Sequence, residues 1–188
     1  PIAFPEVFLG ERAGFDVILG NPPWEEATVE EDAFWARHFS GLRSLPQRDQ
    51  ENLKTRLRRE RPDLAAEYDA TVERTARLRL VLTTGPYPGM GTGDPDVYKA
   101  FCWRFWNLVS PEGGRIGVVL PRSALAAKGS TEFRLTVFNQ GQSVDITTLA
   151  NTRGWVFDDA EHRYTIALVA ITRGRSEMTS VRLRGPYA

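Results

Sequence analysis

The sequence predicts an α/β fold in which a mostly parallel sheet with an antiparallel end carries a helical insertion. Two short runs rich in β-branched and apolar residues, 15–20 and 115–121, are typical of buried strands, because Gly or Pro closes each of them abruptly. A long polar stretch with helical periodicity separates the two runs. Strands that helices connect usually lie parallel in one sheet, and this predicts the fold class.

A helix is predicted over residues 95–109, directly before the second strand. Asp94 can cap this helix, and Pro95 suits its first turn. Apolar residues recur at helical spacing on its expected inner side: Val97, Phe101, Phe105 and Leu108. Because Trp103 and Trp106 add a second apolar side, we expect a helix that is buried on two sides.

The C-terminal part of the chain predicts one more helix and three strands. The helix covers residues 130–138, and its expected inner side is formed by Phe133, Val137 and Phe138. Three apolar runs then predict strands: 144–149, 164–171 and 181–183. These strands are expected to supply the antiparallel end of the sheet.

Residues 29–82 differ in composition from the rest of the chain and are predicted to form the helical insertion. Five acidic residues and no basic one lie in 25–32, whereas seven basic and three acidic residues lie in 43–61. Periodic positions support two or three amphipathic helices: Trp35, His38, Phe39, Leu42, Leu64, Tyr68, Val72 and Ala76.

Composition excludes several classes of protein. The 188 residues are 41% hydrophobic, and 24 Lys and Arg balance 24 Asp and Glu, which excludes a disordered acidic tail and a wholly basic nucleic-acid coat. The single Cys102 allows neither an internal disulfide nor a CxxC zinc site, so a reducing, intracellular compartment is expected. His38 and His162 lack neighbouring ligands, and no metal site is predicted. Apolar runs such as 166–171 are too short to span a membrane.

The most informative segment is Asn21-Pro22-Pro23-Trp24, which directly follows the first predicted strand. In open α/β sheets, ligands bind beyond the carboxyl ends of the strands. The two prolines fix the backbone and lack N–H donors, so the carbonyl groups here meet little local competition. The side-chain oxygen of Asn21 and a neighbouring carbonyl therefore form a pair of acceptors that suits an amine with two N–H groups.

Such a pair of acceptors has a chemical use. The exocyclic amine of adenine is conjugated and a poor nucleophile, and two acceptors on its hydrogens favour a pyramidal nitrogen with a localised lone pair. The amine can then attack an electrophilic methyl group directly. Trp24 offers a flat surface on which the base can stack, and the base must leave the duplex to reach it.

The run FDVILGNPPW at 15–24 resembles the catalytic motif of the S-adenosylmethionine-dependent N6-adenine DNA methyltransferases of the NPPW type. Three further blocks extend the resemblance to the large methylases of type IIG restriction-modification enzymes and related phage-defence systems: FPEVF at 4–8, DVYKAF at 96–101 and GGRIGVVLP at 113–121. The similarity covers residues 4 to about 171. It implies a Rossmann-like methyltransferase sheet, of which residues 1–188 would be the catalytic half.

The resemblance also implies roles for individual residues. Asn21, Pro22, Pro23 and Trp24 match the catalytic motif, with Trp24 stacking on the target base. Residues 154–157 resemble a later block, which makes Phe157 the expected second aromatic residue at the base, with Trp155 and Tyr164 as alternatives. Phe101 resembles the aromatic residue beside the cofactor adenine, where Asn21 would also contribute.

The implied cofactor is S-adenosylmethionine. The family's Gly-rich turn and acidic residue, which hold this cofactor, come before the NPP motif and are not found in these 188 residues. Because the chain begins with Pro1 and not Met, we expect it to be part of a longer protein that carries them, and expect it to be inactive by itself. The implied partners are double-stranded DNA and the rest of that protein, in the cytoplasm of a bacterium or archaeon.

Contacts with DNA phosphates are expected from the basic run in 43–61, above all from Arg56, Arg58 and Arg59. The alternative is a solvated helix face that binds nothing. Two other functions stay open on the sequence: methylation of an amine in RNA or of a protein glutamine amide, and a noncatalytic DNA-binding or scaffolding role.

Overall fold

A computed structural model describes residues 3–90, 92–93, 95–158 and 164–188 of the chain. These residues divide into two units, Pro1–Glu26 with Pro86–Ala188, and Ala27–Gly85. The described part of the first unit contains five strands: β1 (Val17–Gly20), β2 (Arg115–Pro121), β3 (Gly141–Ala150), β4 (Thr165–Arg173) and β5 (Ser180–Tyr187). It also contains α1 (Pro5–Phe8), α5 (Val97–Leu108), α6 (Ser123–Ala126) and α7 (Thr131–Gln140).

The five strands form one mixed sheet in the order β1-β2-β4-β3-β5. β1 lies parallel to β2, and β3 lies parallel to β5, whereas β4 is antiparallel to both of its neighbours, β2 and β3. The α/β class is confirmed, and the open sheet is consistent with a Rossmann-like fold. Four of the five strands run in the same direction, as a mostly parallel sheet requires, but the prediction of an antiparallel end is wrong, because the antiparallel strand β4 lies between β2 and β3.

Several element boundaries differ from the prediction. The first strand begins at Val17, because Phe15 forms only an isolated bridge to Val109 while its ring packs against Phe4 and Phe8. α5 begins at Val97 with Asp96 at its N-cap position, and the predicted cap, Asp94, lies outside the described residues. The last strand is longer than predicted, since β5 covers Ser180–Tyr187.

The core of this unit lies on one side of the sheet, where α5 and α7 cover the inner face of the central strands. It is formed by Ile116, Val118, Leu120, Val144, Ile146, Val169 and Ile171 from the sheet and by Tyr98, Cys102, Trp103, Trp106 and Val137 from the helices. Burial of each large apolar side chain contributes about 1.5–3 kcal/mol to folding. On the opposite face Leu19 is 79% exposed.

The predicted inner sides of two helices need correction. Phe101 is 38% exposed and Phe138 is 39% exposed, so neither belongs to the core as expected. The side of α5 that faces the sheet is instead lined by Tyr98, Cys102 and Trp106, one position along the helix from the predicted row. Both rows are apolar, so periodicity alone could not decide which of them the sheet would cover.

The second unit, Ala27–Gly85, is helical in its described residues and encloses the predicted insertion 29–82. It consists of α2 (Glu31–His38), a 3₁₀ turn at Leu42–Ser44, α3 (Gln47–Glu60) and α4 (Pro62–Thr84). Its own core is formed by Phe34, Trp35, Leu42, Leu57 and Leu64. No helix in the described part of the chain has the length and apolarity that a membrane crossing requires.

The described residues contain no group of three His, Cys, Asp or Glu side chains that could hold a metal ion. His162 lies outside the described residues. The absence of a metal site therefore stays a prediction.

Candidate active site

The predicted motif follows β1 at the carboxyl end of that strand. Gly20, the last residue of β1, lies so close to α5 that a Cβ atom there would be 2.7 Å from the Phe105 ring. Any larger residue at this position would displace the Phe105 ring, so glycine lets the strand pack directly against the helix. The chain then continues through Asn21, which is exposed, Pro22, which is buried, and Pro23, which is exposed.

Two acceptors at this point have no partner among the described residues. The side chain of Asn21 and the carbonyl of Pro22 take part in none of the hydrogen bonds that the described part of the chain makes. Because residues 22 and 23 are prolines, their backbone has no N–H group that could donate to either oxygen. Both oxygens can therefore accept from an incoming amine.

Trp24 is held in a defined orientation. Its indole Nε1–H donates to the carbonyl of Val119 at 3.3 Å, and the partly buried ring packs against the core of the first unit. A tryptophan fixed at one edge in this way can present its remaining ring surface to a ligand. The anchoring carbonyl on β2 is a feature that the sequence pattern did not indicate.

Phe157 lies against Trp24. The two ring centroids are 6.2 Å apart, and the ring planes meet at 86°, which is an edge-to-face contact. Two rings in edge-to-face contact leave no space between them for a base, so a base that stacked between them would require the Phe157 ring to turn or shift.

The two alternatives to Phe157 lie elsewhere. Trp155 is exposed and donates from Nε1 to the carbonyl of Ala150 at 2.6 Å. Tyr164 is also exposed. In the described part of the chain, neither ring contacts Trp24 in the way that Phe157 does.

Phe101 is placed on the same end of β1 as Asn21. Its ring contacts Phe105 at a centroid distance of 5.9 Å, and Phe105 in turn lies against Gly20. The exposed ring of Phe101 and the unpartnered amide of Asn21 are the groups that a nucleoside would require: an aromatic surface and a polar edge. The residues present therefore fit one side of a cofactor site.

A shallow groove of about 640 Å³ begins at Asn21 and continues over the uncovered face of the sheet. Its floor is apolar near β1, where Leu19 and Leu168 contribute, and becomes polar toward Asp145 and Arg184. Arg184 pairs with Asp145 at 3.2 Å. The groove is large enough for a ligand of nucleotide size.

The three predicted phosphate ligands differ in their surroundings within the helical unit. Arg58 pairs with Glu31 at 2.7 Å and with Asp69 at 3.5 Å, and its guanidinium lies 4.8 Å from the centre of the Tyr68 ring. The hydrogen bond to Glu31 raises the pKa of Arg58 despite the opposing effect of burial. This geometry disfavours Arg58 as a phosphate ligand, because its charge is already compensated.

Arg56 and Arg59 are exposed on α3. Arg56 makes one long ion pair, 3.7 Å to Glu60, and Arg59 has no ion pair within the described part of the chain. Arg48 is exposed and lies on the same side of the helix, about two and three helical turns before Arg56 and Arg59. A helical projection of α3 could have identified Arg48 from the sequence.

Burial makes the only cysteine unreactive. Cys102 lies in the core under α5, and burial raises the pKa of its thiol to about 12. A thiol with this pKa carries no thiolate at neutral pH and is not a nucleophile. The packing role that the sequence predicts for Cys102 agrees with this position.

Comparison with known proteins gives matches to solved structures and no family assignment. No family model matches the sequence. No curated protein matches it. The DrdV–DNA complex, determined by cryo-EM, aligns with a TM-score of 0.44 and 16% identity over 90% of this chain and 14% of the DrdV chain. The ATP-dependent Type ISP restriction-modification enzyme LlaBIII bound to DNA aligns with a TM-score of 0.42 and 13% identity over 91% of this chain and 10% of that chain. The present chain thus spans only a small part of either protein, and a likeness at this level assigns no function.

Proposed function

We propose that this chain is the catalytic part of an S-adenosylmethionine-dependent DNA methyltransferase that modifies the N6 amine of adenine in a restriction-modification or phage-defence system. One observation carries the proposal: two acceptors without a described partner, on Asn21 and Pro22, lie at the end of β1 next to the contacting rings of Trp24 and Phe157. An amine-bearing flat ring is the ligand that this combination suits.

Asn21 and Pro22 act on the amine. Each oxygen accepts one of its two N–H groups, which orients the nitrogen and withdraws its lone pair from conjugation with the ring. The Pro22 carbonyl is fixed before the ligand arrives, since proline restricts the backbone on either side of it. Preorganised acceptors of this kind cost no reorganisation during the reaction.

Trp24 and Phe157 bind the base. Stacking on an aromatic side chain contributes roughly 1–3 kcal/mol per base. This offsets part of the few kcal/mol needed to take a base out of a duplex. The hydrogen bond from Trp24 to Val119 keeps the ring in place during this exchange.

Phe101 and Asn21 are the residues of this chain that would hold S-adenosylmethionine, through ring stacking and an amide hydrogen bond. When bound, the cofactor would supply an electrophilic methyl group on its sulfonium, so that the adenine amine gains the methyl group and releases one proton to solvent while the sulfonium becomes a neutral thioether.

The DNA backbone is bound by the helical unit through the exposed side of α3. Arg56 and Arg59 supply positive charge there, together with Arg48. Each phosphate neutralised by such a residue releases counterions, which favours binding at low salt.

The test is methyl transfer from tritium-labelled S-adenosylmethionine, with the protein that contains this chain and a duplex DNA substrate. Asn21→Ala should lower the turnover at least about 100-fold, because a hydrogen bond to the amine is lost in the transition state. Asn139→Ala, which removes an exposed amide on α7, is the matched control and should retain full turnover. Circular dichroism checks that both variants fold.

Parallel reactions with RNA and with a glutamine-containing peptide decide the substrate class. Transfer to DNA alone supports the proposal. Transfer to RNA or to the peptide in preference to DNA, or near wild-type turnover of Asn21→Ala, would overturn it.

A further inference from the structure

Asn151 is completely buried, with 0% of its surface exposed, although it carries a polar amide. It follows the last residue of β3 and begins the segment that leads to Phe157. A buried amide is costly unless its donors and acceptors are bound. The surroundings of Asn151 show where these groups bind.

The side chain of Asn151 makes three described hydrogen bonds to the backbone around Phe157. Its Oδ1 accepts from the N–H of Val156 at 3.1 Å and from the N–H of Phe157 at 3.0 Å. Its Nδ2 donates to the carbonyl of Phe157 at 3.0 Å. One amide thus binds both backbone groups of the residue whose ring contacts Trp24.

The backbone of Asn151 fixes the base of the same segment. Its N–H donates to the carbonyl of Tyr164 at 2.9 Å, and its carbonyl accepts from the N–H of Gly154 at 3.1 Å. Between these points Arg153 and Gly154 both have positive φ angles, 59° and 74°. For Arg153 this conformation costs energy, and it persists only where surrounding contacts enforce it.

We propose that Asn151 is a positioning residue that holds Phe157 against Trp24 and thereby sets the shape of the base site. The role in base binding rests on the proposed function, whereas the effect on the Phe157 backbone does not. The asparagine amide supplies an oxygen that accepts from two N–H groups and a nitrogen that donates to the Phe157 carbonyl, whereas an ionised aspartate lacks the donor. Asn151→Ala would leave the Val156 and Phe157 N–H groups and the Phe157 carbonyl without this partner.

The first experiment uses the protein without DNA. In Asn151→Ala, the amides of Val156 and Phe157 should exchange with solvent at least about tenfold faster, since two backbone hydrogen bonds are lost. The indole N–H resonance of Trp24 should shift, because the Phe157 ring no longer lies at a fixed angle to it. Asn139→Ala is the matched control and should change neither signal. Unchanged exchange and an unchanged Trp24 resonance in Asn151→Ala would overturn the proposal.

The second experiment is a double-mutant cycle on base binding, measured by fluorescence of 2-aminopurine at the target position in duplex DNA. Asn151→Ala and Phe157→Leu should each weaken binding of the extrahelical base about tenfold. The double variant should be no weaker than Phe157→Leu, because Asn151 acts through the Phe157 ring. If the losses of affinity in the two single variants multiplied in the double variant, Asn151 would act independently of the Phe157 ring, and this would overturn the proposal.

Phe157→Leu keeps the Asn151 hydrogen bonds and guards against the case in which Asn151→Ala fails to fold. In that case Asn151→Leu, whose branched side chain offers neither a donor nor an acceptor, replaces it in both experiments. If the wild-type protein holds no extrahelical base, the proposed function fails, and the exchange experiment on the free protein still decides the role of Asn151.

Discussion

The indole of Trp24 and the phenyl ring of Phe157 meet edge to face, with 6.2 Å between their centroids. The two residues are far apart in the sequence: Trp24 follows β1, and Phe157 precedes β4. Their contact places the Phe157 ring beside the NPPW segment, which carries the two acceptor oxygens. Both groups are needed if one site is to hold an amine and the ring that carries it.

Replacement of Trp24 by alanine should weaken binding of an extrahelical base about tenfold while changing the single-turnover rate much less. Stacking is made before the transition state and contributes to both states about equally. The measurement is 2-aminopurine fluorescence combined with single-turnover methylation. Trp155→Ala removes an exposed tryptophan that does not contact Trp24 and should have little effect. If Trp155→Ala weakened base binding and Trp24→Ala did not, the stacking residue would be Trp155.

Arg59→Gln should weaken DNA binding and lower the slope of log Kobs against log salt concentration by about 0.9, the effect of one lost phosphate contact. Arg58→Gln, one residue away, should leave this slope unchanged, because Arg58 is already paired with Glu31 and Asp69. It should instead lower the melting temperature. The salt dependence of fluorescence anisotropy and a thermal melt separate the two effects. Equal slopes for wild type and Arg59→Gln would show that Arg59 makes no contact with a DNA phosphate.

Lys54 links the stability of the protein to alkaline pH. Its side chain is only 6% exposed and donates to Asp32 at 2.7 Å and to Glu51 at 2.6 Å. Burial lowers the pKa of Lys54, but these hydrogen bonds and the nearby charges outweigh it and raise the pKa from 10.5 to about 12. The stabilisation is therefore complete below pH 10.5 and is lost as the pH rises to about 12.

The measurement for Lys54 is urea unfolding of wild type and Lys54→Met across that pH range. The difference in unfolding free energy between them should be largest at neutral pH and should shrink above pH 10.5. Arg56→Met, on the exposed side of α3, is the control and should show no such change. A difference between wild type and Lys54→Met that stays constant up to pH 12 would contradict the prediction.

Cys102 should react with thiol reagents only when the first unit unfolds. Its pKa of about 12 leaves almost no thiolate at pH 8, and the surrounding core excludes the reagent. The labelling rate at pH 8 should rise with urea in parallel with unfolding followed by circular dichroism. Rapid labelling in the absence of urea would show that Cys102 is accessible.

The sequence predicted the elements of the sheet better than their arrangement. β2 has the predicted bounds, 115–121, because a closed apolar run is marked at both ends by Gly and Pro. The position of β4 between β2 and β3 depends on long-range pairing, which local periodicity does not report. Similarly, the exposure of Phe101 depends on which of two apolar rows of α5 the sheet covers.

The candidate site was predictable where it is local in sequence and not where it depends on distant contacts. Asn21 to Trp24 lie in one tetrapeptide, so their chemistry could be inferred from residue types alone. The pairing of Arg58 with Glu31 and the role of Asn151 at Phe157 required the fold. An asparagine in a loop has no sequence signature that distinguishes a buried amide from an exposed one.

Nucleoside analysis of the product shows directly whether the site methylates the N6 amine of adenine. DNA incubated with S-adenosylmethionine and the protein that contains this chain is digested to nucleosides, which are separated and identified by mass spectrometry. We expect N6-methyladenine to form with the wild-type protein and to be absent with Asn21→Ala. A methylated cytosine, or N6-methyladenine that persists undiminished with Asn21→Ala, would contradict it.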